Sequence, residues 1–196
     1  MALTFPRPTF SPIAGRIVKV LGLLAVIAGG YYLYLLATDN FHTVVAGEVY
    51  RSSQPSAAAI VRFEGKYGIR TILNLRGKNG KHGWYESEIA QSNALGIKHI
   101  DFKMNSSREL TPDQALQLIA IMRDAPKPLL IHCQAGADRT GLASALYLAA
   151  IARKSEKVAE GQLSLLYGHI PYSFAHAFPM DMTFEKMEPL LGFGDS

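Results

Sequence analysis

The chain has 196 residues, of which 48% are hydrophobic and 18% charged, so it is large enough for one globular domain with an appendage and too apolar for a disordered protein. Its single cysteine excludes an intramolecular disulfide and a zinc site built from several cysteines. The net charge of +4 is shared between the first forty residues and the remainder, which leaves the main part of the chain too weakly basic to indicate a nucleic-acid partner.

The N-terminal region contains an uncharged apolar stretch, VLGLLAVIAGGYYLYLLA, at residues 20–37. A stretch of this length is sufficient to cross the hydrocarbon region of a bilayer as a helix. A cleaved signal peptide is the alternative, but the apolar residues continue well past the small residues at which cleavage would be expected. We therefore divide the chain into a short N-terminal tail at 1–16, a transmembrane anchor at 17–37 and a folded domain at 41–196.

The charges that flank the apolar stretch predict its orientation. Arg7, Arg16 and Lys19 precede it, whereas Asp39 is the only charged residue that follows it closely. Positively charged flanks stay on the cytoplasmic side of a membrane. A single-pass protein is therefore expected with its folded domain outside the cytoplasm, which in a bacterium is the periplasm.

Beyond the anchor, short apolar stretches alternate with stretches of helical periodicity. Strands are expected as a pair within 41–53 around an Ala-Gly turn, and at 69–75, 97–104 and 127–133. Helices are expected at 55–68, 84–96, 111–125 and 139–153, with two or three more in the tail, where Pro171 and Pro179 interrupt them. This alternation predicts an α/β fold with a mostly parallel central sheet of about five strands and helices on both faces.

The only cysteine lies between a buried strand and a helix, in LLIHCQAGADRTGLASALYL at residues 129–148. Open α/β sheets bind ligands at the carboxyl ends of their strands, which is where Cys133 is placed. Backbone N–H groups of the turn that follows can form an anion-binding nest, and the positive end of the next helix favours the thiolate form of the cysteine.

The residues that follow the cysteine complete a site for a phosphoryl group. Gly136 allows a tight backbone curl, Arg139 offers a planar fork for two phosphate oxygens, and Thr140 places a hydroxyl near the sulfur. The pattern predicts that Cys133 attacks phosphorus and forms a phosphocysteine that is then hydrolysed. An inert buried cysteine is the alternative, but it does not require these residues at these spacings.

The segment HCQAGADRTG, residues 132–141, resembles the signature of the dual-specificity and protein-tyrosine phosphatases: His-Cys, five residues, then Arg followed by Ser or Thr. The resemblance extends more loosely from residue 49 to about residue 155. It implies a cofactor-free, metal-free phosphomonoester hydrolase with Cys133 as nucleophile and Arg139 as phosphate clamp. It also implies that His132 supports the loop from beneath and that Arg51 has a scaffold role. The phosphate-binding residues it implies are Gln134, Ala135, Gly136, Ala137, Asp138 and Arg139.

The general acid stays open among three residues. Asp101 lies at the family's usual distance before the cysteine, but within a predicted strand rather than on the loop after it. That loop offers Glu109 instead. Asp138 is the third candidate, because an aspartate directly before the arginine has this role in myotubularin-type lipid phosphatases, which the sequence GADRT resembles.

Four functions are consistent with these features. A protein-tyrosine or dual-specificity phosphatase acting on a phosphorylated protein is favoured. A phosphoinositide or inositol-phosphate phosphatase is the alternative, favoured by Asp138, by the anchor and by a basic loop after the third strand, which contains Arg76, Lys78, Lys81 and His82. A rhodanese-like sulfurtransferase also uses a cysteine in an anion-binding loop, but the arginine and threonine argue against it. A catalytically inert phosphate-binding module is the last possibility.

The remaining aromatic and histidine residues are assigned structural roles. Trp84 and Tyr85 are expected to pack at a helix start, and His169 and His176 have no metal-ligand partners at useful spacing. Aromatic side chains of the tail are expected to cover the sheet; they are Tyr167, Tyr172, Phe174 and Phe178.

Overall fold

The computed structural model describes residues 12–194, and its first element is the long apolar helix α1, Pro12–Ala37. The stretch Ile13–Ala37 is long and apolar enough to cross a membrane, and a signal sequence near an N-terminus has the same properties. The chain divides into two compact units between Tyr34 and Leu35. Most of the expected tail, residues 1–11, lies outside the described residues, and the expected anchor at 17–37 lies within α1.

The second unit contains a five-stranded sheet in the order β1-β2-β5-β3-β4. The strands are β1 His42–Val45, β2 Val49–Ser52, β3 Thr71–Asn74, β4 Lys98–Asp101 and β5 Leu129–His132. The β1–β2 pair is antiparallel and the other pairs are parallel. The register aligns the last residues of the four parallel strands in one row: Ser52, His132, Asn74 and Asp101. Side chains from these four strand ends therefore meet at the carboxyl edge of the sheet.

Helices cover both faces of the sheet. Each face has its own hydrophobic core, and alternate residues of a strand belong to different cores. Leu73, Leu129 and Ile131 belong to one core, whereas Ile72 and Leu130 belong to the other. The helices are α2 Ala57–Tyr67, α3 Gly83–Ala94, α4 Pro112–Asp124, α5 Asp138–Ala150, α6 Glu156–Glu160 and α7 Pro179–Leu191, with a 3₁₀ turn at Leu165–Tyr167. Helices α4, α5 and α7 contribute to the first core and α2 to the second. The expected fold class is confirmed.

Local signals explain where the helices begin and end. Thr111 forms a capping box with Gln114 at the start of α4. Gly68 ends α2 in a left-handed conformation, with φ of 65°. Ser56 caps α2, so the helix begins after Pro55 rather than at it. Pro179 is the first residue of α7 and does not interrupt a helix, because a proline is tolerated in the first turn.

Two aromatic residues of the tail do not cover the sheet as expected. Tyr172 and Phe174 are 53% and 82% exposed, and their rings stack on each other. They lie in the connection between the 3₁₀ turn and α7, which runs over the surface. Tyr167, by contrast, is buried.

Candidate active site

The signature loop, residues 133–139, connects the carboxyl end of β5 to the first turn of α5. Cys133 is 2% exposed and directly follows the last residue of the strand. Gly136 has a φ of +72°, and a Cβ atom there would lie 2.6 Å from the backbone nitrogen of Ser53. The loop is therefore pressed against the backbone that follows β2, and only glycine fits at this position.

The carbonyl oxygens of residues 134–137 all accept hydrogen bonds from donors outside the loop. The backbone N–H of Gln54 donates to Gln134 O at 3.1 Å, and Asn40 Nδ2 donates to Ala135 O at 2.9 Å. The carbonyls of Gly136 and Ala137 accept from Arg51. In a planar trans peptide, the N–H group points away from the carbonyl of the same unit. The N–H groups of the loop therefore point to its inner side, where they form a nest for an anion.

Arg51 supports this loop from a fully buried position. Its Nη2 donates to Gly136 O at 2.8 Å and to Ala137 O at 3.2 Å, and its Nη1 donates to the backbone and side-chain oxygens of Gln162. Its guanidinium lies 3.8 Å from the ring centroid of Tyr167. Burial lowers the pKa of Arg51 to about 10, against the opposing charges of Tyr167, Cys133 and Asp138, so the side chain stays cationic at neutral pH.

Arg139 and Thr140 carry polar atoms that the described residues leave unpaired. Arg139 Nη1 donates only a long hydrogen bond, of 3.4 Å, to Met104 O. Its Nε and the Thr140 hydroxyl are buried and make no hydrogen bond within residues 12–194. Buried donors are normally satisfied, so these two fit a site that receives an oxyanion.

His132 and Glu88 form a buried pair beneath the nucleophile position. His132 Nδ1 lies 3.3 Å from Cys133 O, and its Nε2 lies 3.0 Å from Glu88 Oε1. His99 Nε2 lies 2.6 Å from the same carboxylate oxygen. Burial alone would raise the pKa of Glu88, but the charges and hydrogen bonds of the two histidines lower it to about 2. No sequence signal pointed to Glu88, because burial of one helix residue depends on how α3 is rotated against the sheet.

Asp101 is held at the edge of the sheet. It is the last residue of β4, in register with Asn74, which is in register with His132. Two strand spacings, roughly 10 Å, therefore separate the backbones of Asp101 and His132. Asp101 Oδ1 accepts a hydrogen bond from Asn74 Nδ2 at 2.8 Å, and Asp101 Oδ2 accepts one from the Tyr85 hydroxyl at 2.6 Å. Burial and the bond to Asp101 raise the pKa of Tyr85 to about 12, so Tyr85 stays a donor.

Asp138 is the first residue of α5, and its side chain is 31% exposed. Its Oδ1 lies 2.8 Å from His169 Nδ1, and the other ring nitrogen of this fully buried histidine lies 2.9 Å from Asp181 Oδ2. Burial alone would lower the pKa of His169, but the hydrogen bonds and charges of the two aspartates raise it to about 9. The sequence did not reveal this link, because His169 and its partners lie on different elements.

Glu109 is the candidate acid that the structure places on the surface. Its carboxylate pairs with Lys186 of α7, and the neighbouring Leu110 N donates to Thr183 Oγ1 at 3.1 Å. Among residues 12–194, no group of three or more His, Cys, Asp or Glu side chains is arranged to hold a metal ion.

Arg76 links the basic loop to the signature loop through Gln54, whose backbone N–H donates to Gln134 O. Arg76 Nη1 donates to Gln54 Oε1 at 2.9 Å, and its guanidinium lies 3.7 Å from the Trp84 ring centroid. Burial and the positive charge of Arg139 lower the pKa of Arg76, while the Cys133 charge opposes the shift. Exposed side chains elsewhere in the loop are Lys78, Lys81 and His82. Trp84 thus packs at the start of α3, as expected.

Solved structures of cysteine-based phosphatases have a similar fold. TpbA of P. aeruginosa has a TM-score of 0.58 at 17% identity, over 76% of this chain and 86% of that chain. The core catalytic domain of the PP-IP phosphatase SIW14 from S. cerevisiae has a TM-score of 0.59 at 20% identity, over 74% and 84%. PTPMT1 in complex with PI(5)P has a TM-score of 0.55 at 14% identity, over 78% and 99%.

These likenesses show the fold, and the sequence supplies the family. No curated protein sequence matches this chain significantly. Residues 28–163, which are most of the chain and include the whole signature loop, match the tyrosine phosphatase family. The chain therefore belongs to the tyrosine phosphatase family of cysteine-type phosphatases.

Proposed function

We propose that Cys133 is the nucleophile of a phosphomonoester hydrolase. The thiolate attacks phosphorus, the ester oxygen leaves, and water then hydrolyses the phosphocysteine and releases inorganic phosphate. The inward-facing N–H groups of the signature loop and the guanidinium of Arg139 stabilise the charge on the phosphoryl oxygens. The observation that carries this proposal is the hydrogen bonding of the loop carbonyls. All four, at residues 134–137, accept from donors outside the loop, which leaves the loop N–H groups for the phosphoryl oxygens.

The experiment is the comparison of two conservative substitutions. Cys133→Ser abolishes phosphate release but keeps the fold and the binding of vanadate-like anions. Arg139→Lys loses most activity as well, because a point charge cannot replace the bidentate fork. Undiminished turnover in Cys133→Ser would exclude the cysteine mechanism, and near-normal rates in Arg139→Lys would exclude the clamp.

A phosphotyrosine side chain on a protein is the proposed substrate. Cys133 is only 2% exposed, so a phosphate carried on a long aromatic arm reaches the sulfur more easily than one on a short serine side chain. TpbA, which has this fold, has also been solved as a cysteine-to-serine variant in complex with pTyr. The test is release of phosphate from phosphotyrosine and phosphoserine peptides by the full chain, with phosphoinositides and inositol polyphosphates alongside.

An inositol-phosphate or phosphoinositide substrate is the second candidate, favoured by positive charge beside the signature loop. Arg76 is connected to the signature loop, since it donates to Gln54 Oε1 and the Gln54 N–H donates to Gln134 O. Gly77 packs against Lys103, and a Cβ at Gly77 would lie 2.6 Å from Lys103 Cβ. Lys103 and Arg108 line a cleft of about 390 Å³ that also contains Met104, whose carbonyl accepts from Arg139. Arg76→Ala separates the candidates, because it weakens binding of a substrate with several phosphates far more than binding of one with a single phosphate.

Asp138 is the general acid we propose. It lies within the signature loop beside Arg139, whereas both oxygens of Asp101 accept hydrogen bonds at the sheet edge and Glu109 pairs with a surface lysine. In this role the Asp138 carboxyl delivers its proton to the leaving oxygen. Only the departure of a poor leaving group needs this proton.

Leaving-group dependence tests this assignment. Asp138→Asn slows phosphotyrosine hydrolysis by about a hundred-fold or more and hardly affects an activated aryl phosphate. Asp101→Asn and Glu109→Gln are the controls. If Asp101→Asn shows the leaving-group-dependent loss and Asp138→Asn does not, the acid is Asp101.

Helix α1 is proposed to anchor the enzyme in a membrane, with the phosphatase domain outside the cytoplasm. The apolar stretch and the preceding Arg16 and Lys19 support this orientation. Protease added to intact spheroplasts then digests the domain. Complete protection, with digestion after lysis, would reverse the orientation, and release of the domain as a soluble protein would identify a cleaved signal.

A further inference from the structure

An exposed apolar segment of the phosphatase domain lies between α6 and α7. Residues 161–180, GQLSLLYGHIPYSFAHAFPM, contain no Lys, Arg, Asp or Glu. Within 165–174, which we call the apolar segment, five large apolar side chains are substantially exposed: Leu165, Leu166, Ile170, Tyr172 and Phe174. The Phe174 ring is 82% exposed and stacks on Tyr172, with ring centroids 5.6 Å apart. A cluster of this kind on a water-facing surface usually marks a binding surface.

The apolar segment packs against residues at the end of the apolar helix and just beyond it. A Cβ at Gly168 would lie 3.4 Å from Cδ1 of Leu35, in the last turn of α1, and Leu35 is buried. Asn40 Nδ2 donates to Tyr167 O at 2.9 Å. The ring of His42 meets the Tyr167 ring edge-on at 4.9 Å. The segment is therefore fixed to residues 35–42 of its own unit.

The position of residues 35–42 next to the apolar helix indicates that the segment lies beside a membrane. If α1 spans a bilayer, its apolar stretch ends at Ala37, so the residues just beyond it lie at the membrane surface by continuity of the chain. A segment fixed to them lies at the same surface. Tyrosine and phenylalanine side chains there gain from the apolar acyl boundary, and the exposed side chains of the segment carry no charge that would have to leave water.

We propose that the apolar segment, residues 165–174, docks onto the surface of the lipid bilayer and inserts Tyr172 and Phe174 at the headgroup–acyl boundary. The proposal rests on the proposed anchor role of α1. It assigns the domain a second membrane contact, separate from the spanning helix.

Docking also fixes the signature loop relative to the bilayer. The segment carries His169, which bonds Asp138, and Tyr167, which lies under Arg51. Asn40, at the exit of the helix, donates both to Tyr167 O and to Ala135 O. The same contacts that hold the apolar segment therefore hold the phosphate-binding loop close to the membrane surface.

Site-directed spin labelling tests the proposal on the full chain. Cys133→Ser leaves the chain without cysteines, so Phe174→Cys introduces a unique label site, and Tyr172→Cys is a second one should the first fail to fold. Leu24→Cys reports on the helix itself. Asp124→Cys is the aqueous control, because its side chain is 66% exposed and it ends α4 at the opposite, amino edge of the sheet.

Each labelled chain is reconstituted into vesicles of phosphatidylcholine and phosphatidylglycerol, and collision rates with oxygen and with a water-soluble nickel complex are compared. Docking gives oxygen-dominated collisions at 174 and 24 and nickel-dominated collisions at 124. If the label at 24 is in lipid but the label at 174 has the same nickel-dominated collisions as the label at 124, the docking proposal is wrong and the anchor stands. If 24 is itself in water, the anchor fails and the docking proposal fails with it. A label at 174 that is shielded from both reagents would identify a protein contact and overturn the lipid assignment.

Discussion

Substitution of His169 should produce a pH-dependent loss of stability. Its imidazole is fully buried between Asp138 and Asp181, at 2.8 and 2.9 Å, and its pKa is raised from 6.5 to about 9. A group whose pKa is raised on folding contributes stability that is complete below its unfolded pKa and is lost as the pH rises through its folded pKa. The difference between these two pKa values corresponds to a contribution of at most roughly 3 kcal/mol.

His169→Gln should therefore lower the free energy of unfolding by up to about 3 kcal/mol near pH 6, and by clearly less near pH 10, where the histidine is neutral. Urea unfolding of the full chain in detergent micelles, followed by circular dichroism, measures the difference at both pH values. His176→Gln is the matched control, because that histidine is exposed and lies in the same connection. A loss of equal size at both pH values would show that the charge of His169 is not what holds Asp138 and Asp181.

Three further predictions concern the support of the signature loop. Gly136→Ala should lower kcat about a hundred-fold, because the new Cβ must displace the loop from the backbone of Ser53. The control is Gly65→Ala, which should leave kcat unchanged because the space around Gly65 is open. Arg51→Met should lower the free energy of unfolding by about 3 kcal/mol or more, since buried oxygens of Gly136 and Gln162 lose the donor that Arg51 supplies. Arg62→Met, on the surface, should change it by less than about 1 kcal/mol in the same urea titration. Glu88→Gln should destabilise the domain most at neutral pH and progressively less as the pH falls toward about 2. The reason is that the pKa of Glu88 is lowered in the folded domain, so its stabilising charge is lost on acidification. A loss of stability that does not vary with pH would contradict the role of that charge.

The sequence predicted the fold because its signals are local. The capping residues Thr111 and Gly68 lie next to the helix ends they define, and the apolar stretches that became β3 and β5 are bounded by turns. The strand–turn–helix around Cys133 was predictable for the same reason. The four strand ends at the carboxyl edge followed from a parallel sheet without knowledge of the register.

The supporting residues of the site were not predictable, because they depend on contacts between distant elements. Glu88 reaches His132 across 44 positions, and His169 reaches Asp138 across 31. Which face of α3 turns inward, and where the connection before α7 crosses α5, are decided by packing of the whole domain. Asp101 illustrates the same limit: the sequence placed it inside a strand at 97–104, whereas β4 ends at this residue and its two donors, Asn74 and Tyr85, come from other elements.

Trapping of the covalent intermediate tests the central claim most directly. The full chain is mixed with an aryl phosphate labelled with ³²P, quenched within the first turnover and digested for mass spectrometry. The account predicts one labelled phosphate per chain on Cys133, with no label and no turnover in Cys133→Ser. Phosphate release by Cys133→Ser at the wild-type rate, or label on another residue, would contradict it.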